Sequence, residues 1–313
     1  MLKKLDSVEE IQGGLADSGY VSTARISTSV FLAHQLEKPV LVEGPAGVGK
    51  TELAKTTARY LDLPLIRLQC YDGLDEAKAL YEWKYAKQLL YTQVLKDHMG
   101  ELLDGATQLD ESVDRLHGFD DVFFSERFLE PRPLLTALRQ PQGCVLLIDE
   151  IDKSDEEFEA LLLEILSDFQ VSIPEIGTIV ATVRPLVFLT SNNTREMSDA
   201  LKRRCLHLHI PFPDRETEAQ IVAARVPEVP AALNEQLVNF VQALRGLDLR
   251  KSPSVAETID WARTLLLMHA KDLHGDLVRD TLNVLLKFED DIDAAGRAMP
   301  DLLRQASGVG MAR

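Results

Sequence analysis

The stretch LVEGPAGVGKT, Leu41–Thr51, decides how the rest of the chain is read. A short apolar run leads into a glycine-rich turn, and the turn closes on Lys50 and Thr51. Gly44-Pro45-Ala46-Gly47-Val48-Gly49-Lys50-Thr51 satisfies the pattern G-x-x-x-x-G-K-[ST] in full. Glycines let such a backbone turn so that several N–H groups face one anion. A helix starting near Thr51 and Glu52 points its positive end at the same place. The ligand expected there is a nucleoside triphosphate, ATP with Mg²⁺. Lys50 would reach the β- and γ-phosphates, and the Thr51 hydroxyl would take the metal. A chance glycine turn is the competing reading; the strand pattern before the turn and the helical pattern after it speak against that.

A bound triphosphate also needs a carboxylate for the metal and a group to activate water. Val145-Leu146-Leu147-Ile148-Asp149-Glu150 supplies both at the end of an apolar strand, where ligands of open α/β sheets collect. Asp149 is expected to hold Mg²⁺ and Glu150 to polarise the attacking water. Two carboxylates at an ordinary strand end would be unremarkable elsewhere in the chain. The run 186–190 ends in Ser191-Asn192-Asn193, where an amide either positions the same water or merely makes a turn. In Asp199-Ala-Leu-Lys202-Arg203-Arg204 the cations either suit the end of a short helix or offer a guanidinium to a phosphate on a neighbouring subunit.

Outward from these motifs, nearly all-apolar runs at 39–43, 64–69, 144–149, 186–190 and 206–210 predict a parallel sheet buried on both faces. Ser154 and Glu157 read as an S-x-x-E capping box for the helix that follows, whose Phe158, Leu161, Leu162, Ile165, Leu166 and Phe169 keep helical spacing. Residues 170–185, with Gly177 near the centre, predict a β-hairpin. Pro211-Phe212-Pro213-Asp214 looks like a boundary. Helices are expected at 215–226, 231–246, 254–271 and 276–289, and a frayed end over the last dozen residues, which include Gly308 and Gly310. The predicted organisation is an α/β nucleotide-binding domain over 1–211, with an inserted segment at about 71–125, followed by a small all-helical lid over 212–313.

The 313 residues are 45% hydrophobic, enough for a full core, and carry a net charge of −16, which disfavours a nucleic-acid partner. Three scattered cysteines, no apolar leader and no run long enough to span a bilayer point to a cytoplasmic protein. The stretch from Lys96 to Asp121 holds eight acids against two bases. It reads as a solvated insertion, with a partner-contact element as the alternative. Tyr81, Trp83 and Tyr85 read as packing for an inserted element, or as a grip on a client. Tyr71-Asp72-Gly73 is either a pore loop or a plain turn. Cys205, His207 and His209 share one face of a strand; burial under a helix is the ordinary reading, a metal site the other.

The order of phosphate loop, LLIDE, hairpin, LTSNN, LKRRC and helical lid resembles the AAA+ ATPases, and the hairpin at 170–185 resembles that of their MoxR-type branch. LQCYDGLDEAKALYEWKYAKQLL (68–90) and LRKSPSVAETIDWARTL (249–265) are similar to the accessory ATPase of carbon monoxide dehydrogenase maturation. The resemblance implies a five-stranded parallel core with helices on both faces and a helical lid. It implies Asn192 as the sensing asparagine, and Arg204, with Arg203 beside it, as the finger. It places Tyr20 and Val21 at the adenine. After Ser252-Pro253 this chain has Ser254 where many MoxR-type proteins have arginine, leaving Arg250 or Lys251 as substitutes; Asp152-Lys153 stands where Asn-Arg is often found. The resemblance further implies a hexameric ring, a von Willebrand factor A partner and a client, often a metalloenzyme. A nucleotide-switched scaffold and, less favoured, a nucleic-acid motor are the other functions weighed.

Overall fold

The computed structural model describes residues 5–102, 125–174 and 176–307, with 95–102 described as backbone alone. Five strands form one parallel sheet: β1 (Val40–Glu43), β2 (Leu65–Gln69), β5 (Val145–Asp149), β8 (Leu186–Ser191) and β9 (Leu206–His209), in the order β2-β5-β8-β1-β9. The alternation of side chains along a strand sorts the core into two layers. Val145, Leu147, Leu186 and Phe188 join the layer beneath α1 (Val8–Asp17), α2 (Ala24–Leu36) and α3 (Lys50–Leu61). Leu146, Ile148, Val187 and Leu189 join the opposite layer, beneath α6 (Pro133–Leu138) and α7 (Glu156–Asp168). A fully buried side chain of this kind contributes roughly 1.5–3 kcal/mol relative to exposure, so runs apolar on both faces are what a covered sheet requires.

Between β2 and β5 lie α4 (Glu76–Ala79), β3 (Tyr81–Trp83), α5 (Tyr85–Leu102) and β4 (Leu129–Pro131); β3 and β4 pair antiparallel. Trp83 is buried in the core and Tyr81 packs against it, as the packing reading expects, whereas Tyr85 is exposed. Tyr71 is also exposed, and Gly73 takes a positive φ. Of the acidic run, 103–121 lies outside the described residues, as do Gly308 and Gly310. The hairpin forms from β6 (Gln170–Ile173) and β7 (Gly177–Val180), with Gly177 at φ +94°.

Two expectations are corrected. The cap of α7 is Asp155, which accepts from the Phe158 N–H at 2.8 Å. Ser154 instead donates to the Ile151 carbonyl, because a short 3-10 turn (Ile151–Lys153) intervenes and shifts the helix start by one residue. Of the last dozen residues, expected to fray, 302–306 instead continue a helix, and 308–313 lie outside the described residues. α8 (Asp199–Arg204) is followed by α9 (Arg215–Arg225), α10 (Ala231–Arg245), α11 (Val255–Leu267), α12 (Gly275–Leu285) and then α13 (Glu289–Ala306), whose Met299, Leu302 and Ala306 are buried against the other helices. That apolar face holds α13 in place to its last turn. Helices α9 to α13 surround their own core around Phe240 and Trp261, forming a C-terminal all-helical lid.

Within the lid a buried pair ties three helices together. Arg245 of α10 reaches both carboxylate oxygens of Glu218 in α9, at 2.6 and 2.7 Å, and Glu218 accepts from Thr258 of α11. Arg245 also stacks on Phe212, which precedes α9. Among the described residues no helix is long and apolar enough to cross a membrane.

Candidate functional site

Because β5, β8 and β1 are neighbours and run parallel, their C-terminal ends open onto one cleft of about 720 Å³ between the sheet and the lid. The glycine loop leaves β1 there. Gly44 has φ +148°, and a Cβ on it would come within 2.1 Å of the Ile210 carbonyl oxygen. Gly47 has φ +73°, and a Cβ there would lie 2.5 Å from the Ser254 side chain. Only glycine permits both the turn and these approaches. Ala46, Gly47, Val48, Gly49, Lys50, Thr51 and Glu52 line the cleft; Pro45 contributes its carbonyl to the lysine. α3 begins at Lys50 with Gly49 as its N-cap, so no side chain there covers the first-turn N–H groups.

The Lys50 ammonium donates to the carbonyls of Gly44 and Pro45 and to Asn192 Oδ1, each at 2.7 Å. Burial lowers its pKa, against the pull of Asp152, Asp149 and Glu150. The Thr51 hydroxyl donates to Asp149 Oδ1 at 2.9 Å, and Thr190 donates to the same oxygen at 2.6 Å. Thr190 in turn accepts from the Glu150 N–H at 2.9 Å, and Glu150 sits in the left-handed region at φ +57°. Lys50, Thr51, Asp149, Glu150 and Asn192 thus meet in one place from three segments. Thr51 and Asp149 offer hard oxygens side by side, the donor type that Mg²⁺ prefers.

Several partners are residues to which the sequence reading gives no role at this site. Arg67, the one charge inside the run PLIRLQ, donates from Nε (3.0 Å) and Nη2 (2.6 Å) to Asp149 Oδ2. Gln69 Nε2 donates to Glu150 Oε2 at 2.9 Å, and Lys153 reaches the same oxygen at 2.5 Å. Both acids therefore rest on cations or amides of their own subunit. The only signal in the sequence is a polar residue where an apolar strand would suffice.

Tyr20 and Val21 also line the cleft, with Ile210, Pro211 and Phe212. Burial drives the Tyr20 hydroxyl's pKa well up, with a further push from Glu52. The lid contributes Ile221, Arg225, Val255 and Ile259. Arg225, absent from the sequence reading, pairs with Glu52 at 3.1 Å. Arg250 does not line the cleft: its guanidinium lies 4.0 Å from the Phe288 ring centroid, and its backbone N–H is taken by Asp291. Lys251 pairs loosely with Glu257. Arg203 and Arg204 are exposed and lie outside the cleft; Arg204 Nε donates to Ser167 Oγ at 2.8 Å. His207 and His209 are exposed on the edge strand, rather than buried under a helix, and His207 pairs with Glu43 at 2.6 Å. Among the described residues no group of three or more His, Cys, Asp or Glu side chains could hold a metal ion.

A relative, the gas vesicle ATPase GvpN of Haloferax mediterranei, is 27% identical over 66% of this chain; the match spans 56% of the length of that protein. An uncharacterised Staphylococcus aureus protein is 24% identical over 74% of this chain and 76% of its own. Among solved structures, the Thermotoga maritima RuvB Holliday junction branch migration motor covers 88% of this chain and 69% of its own at 18% identity, with a TM-score of 0.45. A point mutant of the same motor covers 93% and 75%, with a TM-score of 0.47. The family model of the AAA domain, dynein-related subfamily, matches residues 39–205, from the first strand of the sheet through the arginine pair. That span is more than half of the chain and contains the loop, both carboxylates and Asn192, so the protein belongs to the AAA domain family, dynein-related subfamily.

Proposed function

We propose that this protein is an ATP-hydrolysing remodelling chaperone of the MoxR type. The observation that carries the proposal is the convergence of Lys50, Thr51, Asp149, Glu150 and Asn192 at the mouth of three adjacent parallel strands. The name of the 27% identical relative, an ATPase, supports the same activity. On this reading residues 1–211 form the nucleotide-binding domain and 212–313 the lid. Lys50 exchanges its loop carbonyls for the β- and γ-phosphates, joined by the open N–H groups of the loop and α3. Thr51 and Asp149 hold Mg²⁺, which when bound neutralises charge on the phosphates. Glu150 takes the proton of the attacking water, and Asn192 holds that water or the γ-phosphate. Tyr20 and Val21 border the adenine.

Arg204, with Arg203 beside it, is exposed away from its own cleft. It therefore serves a neighbour's site in a ring, hexameric by resemblance. By the same resemblance the ring works with a von Willebrand factor A protein to mature a client, such as a molybdenum-containing carbon monoxide dehydrogenase. The test is Glu150→Gln. It should bind ATP as the wild type does and lose turnover by about 10²–10⁴-fold; undiminished hydrolysis would sink the role. Loaded with ATP, the same variant should retain the von Willebrand partner and client from a lysate of the host, and capture of nucleic acid instead would overturn that part. Arg204→Ala should be inactive alone, yet regain turnover in rings mixed with Lys50→Ala subunits, which keep Arg204. Full activity of pure Arg204→Ala protein would refute the finger.

A second reading, a nucleotide-switched scaffold with slow turnover, is favoured by one observation. Asp149 is held by Arg67, and Glu150 by Gln69 and Lys153, so in this subunit both acids are engaged. Steady-state hydrolysis with and without partner separates the two readings.

A further inference from the structure

The turn after the two β5 carboxylates carries a third acid, Asp152, whose surface is only 4% exposed. Its Oδ2 accepts three hydrogen bonds, all from the segment that leaves β8: the Asn192 N–H at 3.2 Å, the Thr194 N–H at 3.0 Å and the Thr194 hydroxyl at 2.6 Å. Its Oδ1 is buried without a hydrogen-bond partner among the described residues. Burial alone would raise the pKa of this carboxyl; the bonds from Thr194 and Asn192 outweigh it, and the net direction is down. A buried carboxylate with one bare oxygen is costly to keep, so the bonds at the other oxygen are charge-assisted and strong.

Those bonds hold a segment that needs holding. Asn193 sits in the left-handed region at φ +58°, between the two residues that Asp152 grips. The Asn192 side chain, one residue earlier, receives Lys50 at 2.7 Å. A second buried acid, Glu159 of α7, grips the same segment further along, accepting from the Ser198 N–H at 3.0 Å and pairing with Arg195. Of the two, Asp152 is the one that acts at Asn192, and it does so without lining the cleft itself.

We infer that Asp152 is a positioning residue of the phosphate site, which fixes the backbone from Asn192 to Thr194 and thereby holds the Asn192 amide beside Lys50. The inference rests on the ATPase reading and adds a residue that touches no nucleotide. Losing Asp152 releases Asn192 and also removes one of the acids that act on the Lys50 ammonium, while the bonds from Lys50 to the Gly44 and Pro45 carbonyls stay in place, so turnover should fall while nucleotide affinity holds.

The experiment measures kcat, KM and ADP affinity for Asp152→Ala, Asp152→Asn, Asn192→Ala and the double variant Asp152→Ala/Asn192→Ala, all in the full chain with Mg²⁺, with thermal unfolding as the check on folding. Asp152→Ala should lower kcat by about 10–100-fold, the cost of a displaced catalytic group, with ADP affinity within about threefold of wild type. Asp152→Asn, whose amide oxygen still accepts from this segment but whose NH2 group meets no acceptor at the bare position, should lie between wild type and Asp152→Ala in kcat. On the Asn192→Ala background, removing Asp152 should change kcat by less than about twofold, because both act through one group. Losses that multiply, an Asp152→Ala enzyme with normal kcat, or an equal loss of ADP affinity and kcat would each overturn the inference while leaving the ATPase reading in place. Should Asp152→Ala fail to fold, Thr194→Val removes one bond and keeps the carboxylate; it should lower kcat by about 3–10-fold, and unchanged turnover would be decisive against the idea. A wild-type protein that binds ATP and never hydrolyses it overturns both.

Discussion

The two walls of the cleft are made by different means. The phosphate wall is built from strand ends and directional bonds. Thr51, Thr190 and Arg67 converge on Asp149, and Lys50 is held by two carbonyls and an amide. The lid wall is built from apolar side chains of α9 and α11, with a backbone bond from the Ala256 N–H to the Gly47 carbonyl at 3.3 Å and the Arg225–Glu52 pair as polar links to the core. Directional bonds fix a geometry to fractions of an ångström, whereas apolar contacts tolerate sliding. On the proposed ATPase reading, the contrast puts chemistry at the first wall and movement at the second.

The sharpest way to break that division is Lys50→Ala. Removing a cation that makes several charge-assisted bonds to phosphate should weaken ATP binding by on the order of 100-fold or more in calorimetry. Near-normal affinity would mean that the lid, not the loop, holds the nucleotide. Next in size is Gly47→Ala, which sets a Cβ against Ser254 and strains a left-handed residue. It should cost about 1–3 kcal/mol of thermal stability, or weaken nucleotide binding by a comparable factor as the lid is pushed off the loop. Adding Ser254→Gly should restore part of the loss, since glycine at that cap costs only about a few tenths of a kcal/mol. The absence of any rescue would show that backbone strain alone is responsible. The smallest effects belong to the lid cations. Arg225→Ala, at the cleft, should weaken ATP affinity by about two- to fivefold, the scale of a partly exposed ion pair. Arg250→Ala, stacked on Phe288, should stay within about twofold. The reverse order would place the lid's cation at Arg250 after all and require the lid to rearrange on binding.

The phosphate wall is largely legible in the sequence. Its motif is contiguous, from Gly44 to Thr51, and the strand runs announce themselves by composition. Legibility fails where a role depends on a partner distant in sequence. Arg67 is one cation in a strand until β2 is laid beside β5. Asp152 reads as one more acid in DEIDKSD until the end of β8 is brought over it. The capping box at Ser154 is a plausible local pattern overtaken by one turn of 3-10 helix. The last dozen residues read as frayed on Gly308 and Gly310, whereas Leu302 and Ala306 continue the apolar face that Met299 begins. The lid is the least legible part: the sequence reading offers Arg250 or Lys251 and passes over Arg225, which only the packing of α9 against the cleft brings to the site.

The residues alone therefore determined that a glycine-rich loop of the phosphate-binding pattern follows an apolar strand, that two carboxylates end another, and that an α/β core precedes a helical region. Such features follow from backbone freedom at glycine, from the period of apolar side chains and from the chemistry of carboxylates, all of which are local. The tertiary structure decided the strand order β2-β5-β8-β1-β9, and with it which strand ends become neighbours. It also decided which acids are gripped and by what, which face of the lid meets the loop, and that Arg204 lies outside its own cleft. Those are properties of pairs far apart in the chain, and pairing is settled by how the layers bury their apolar faces together.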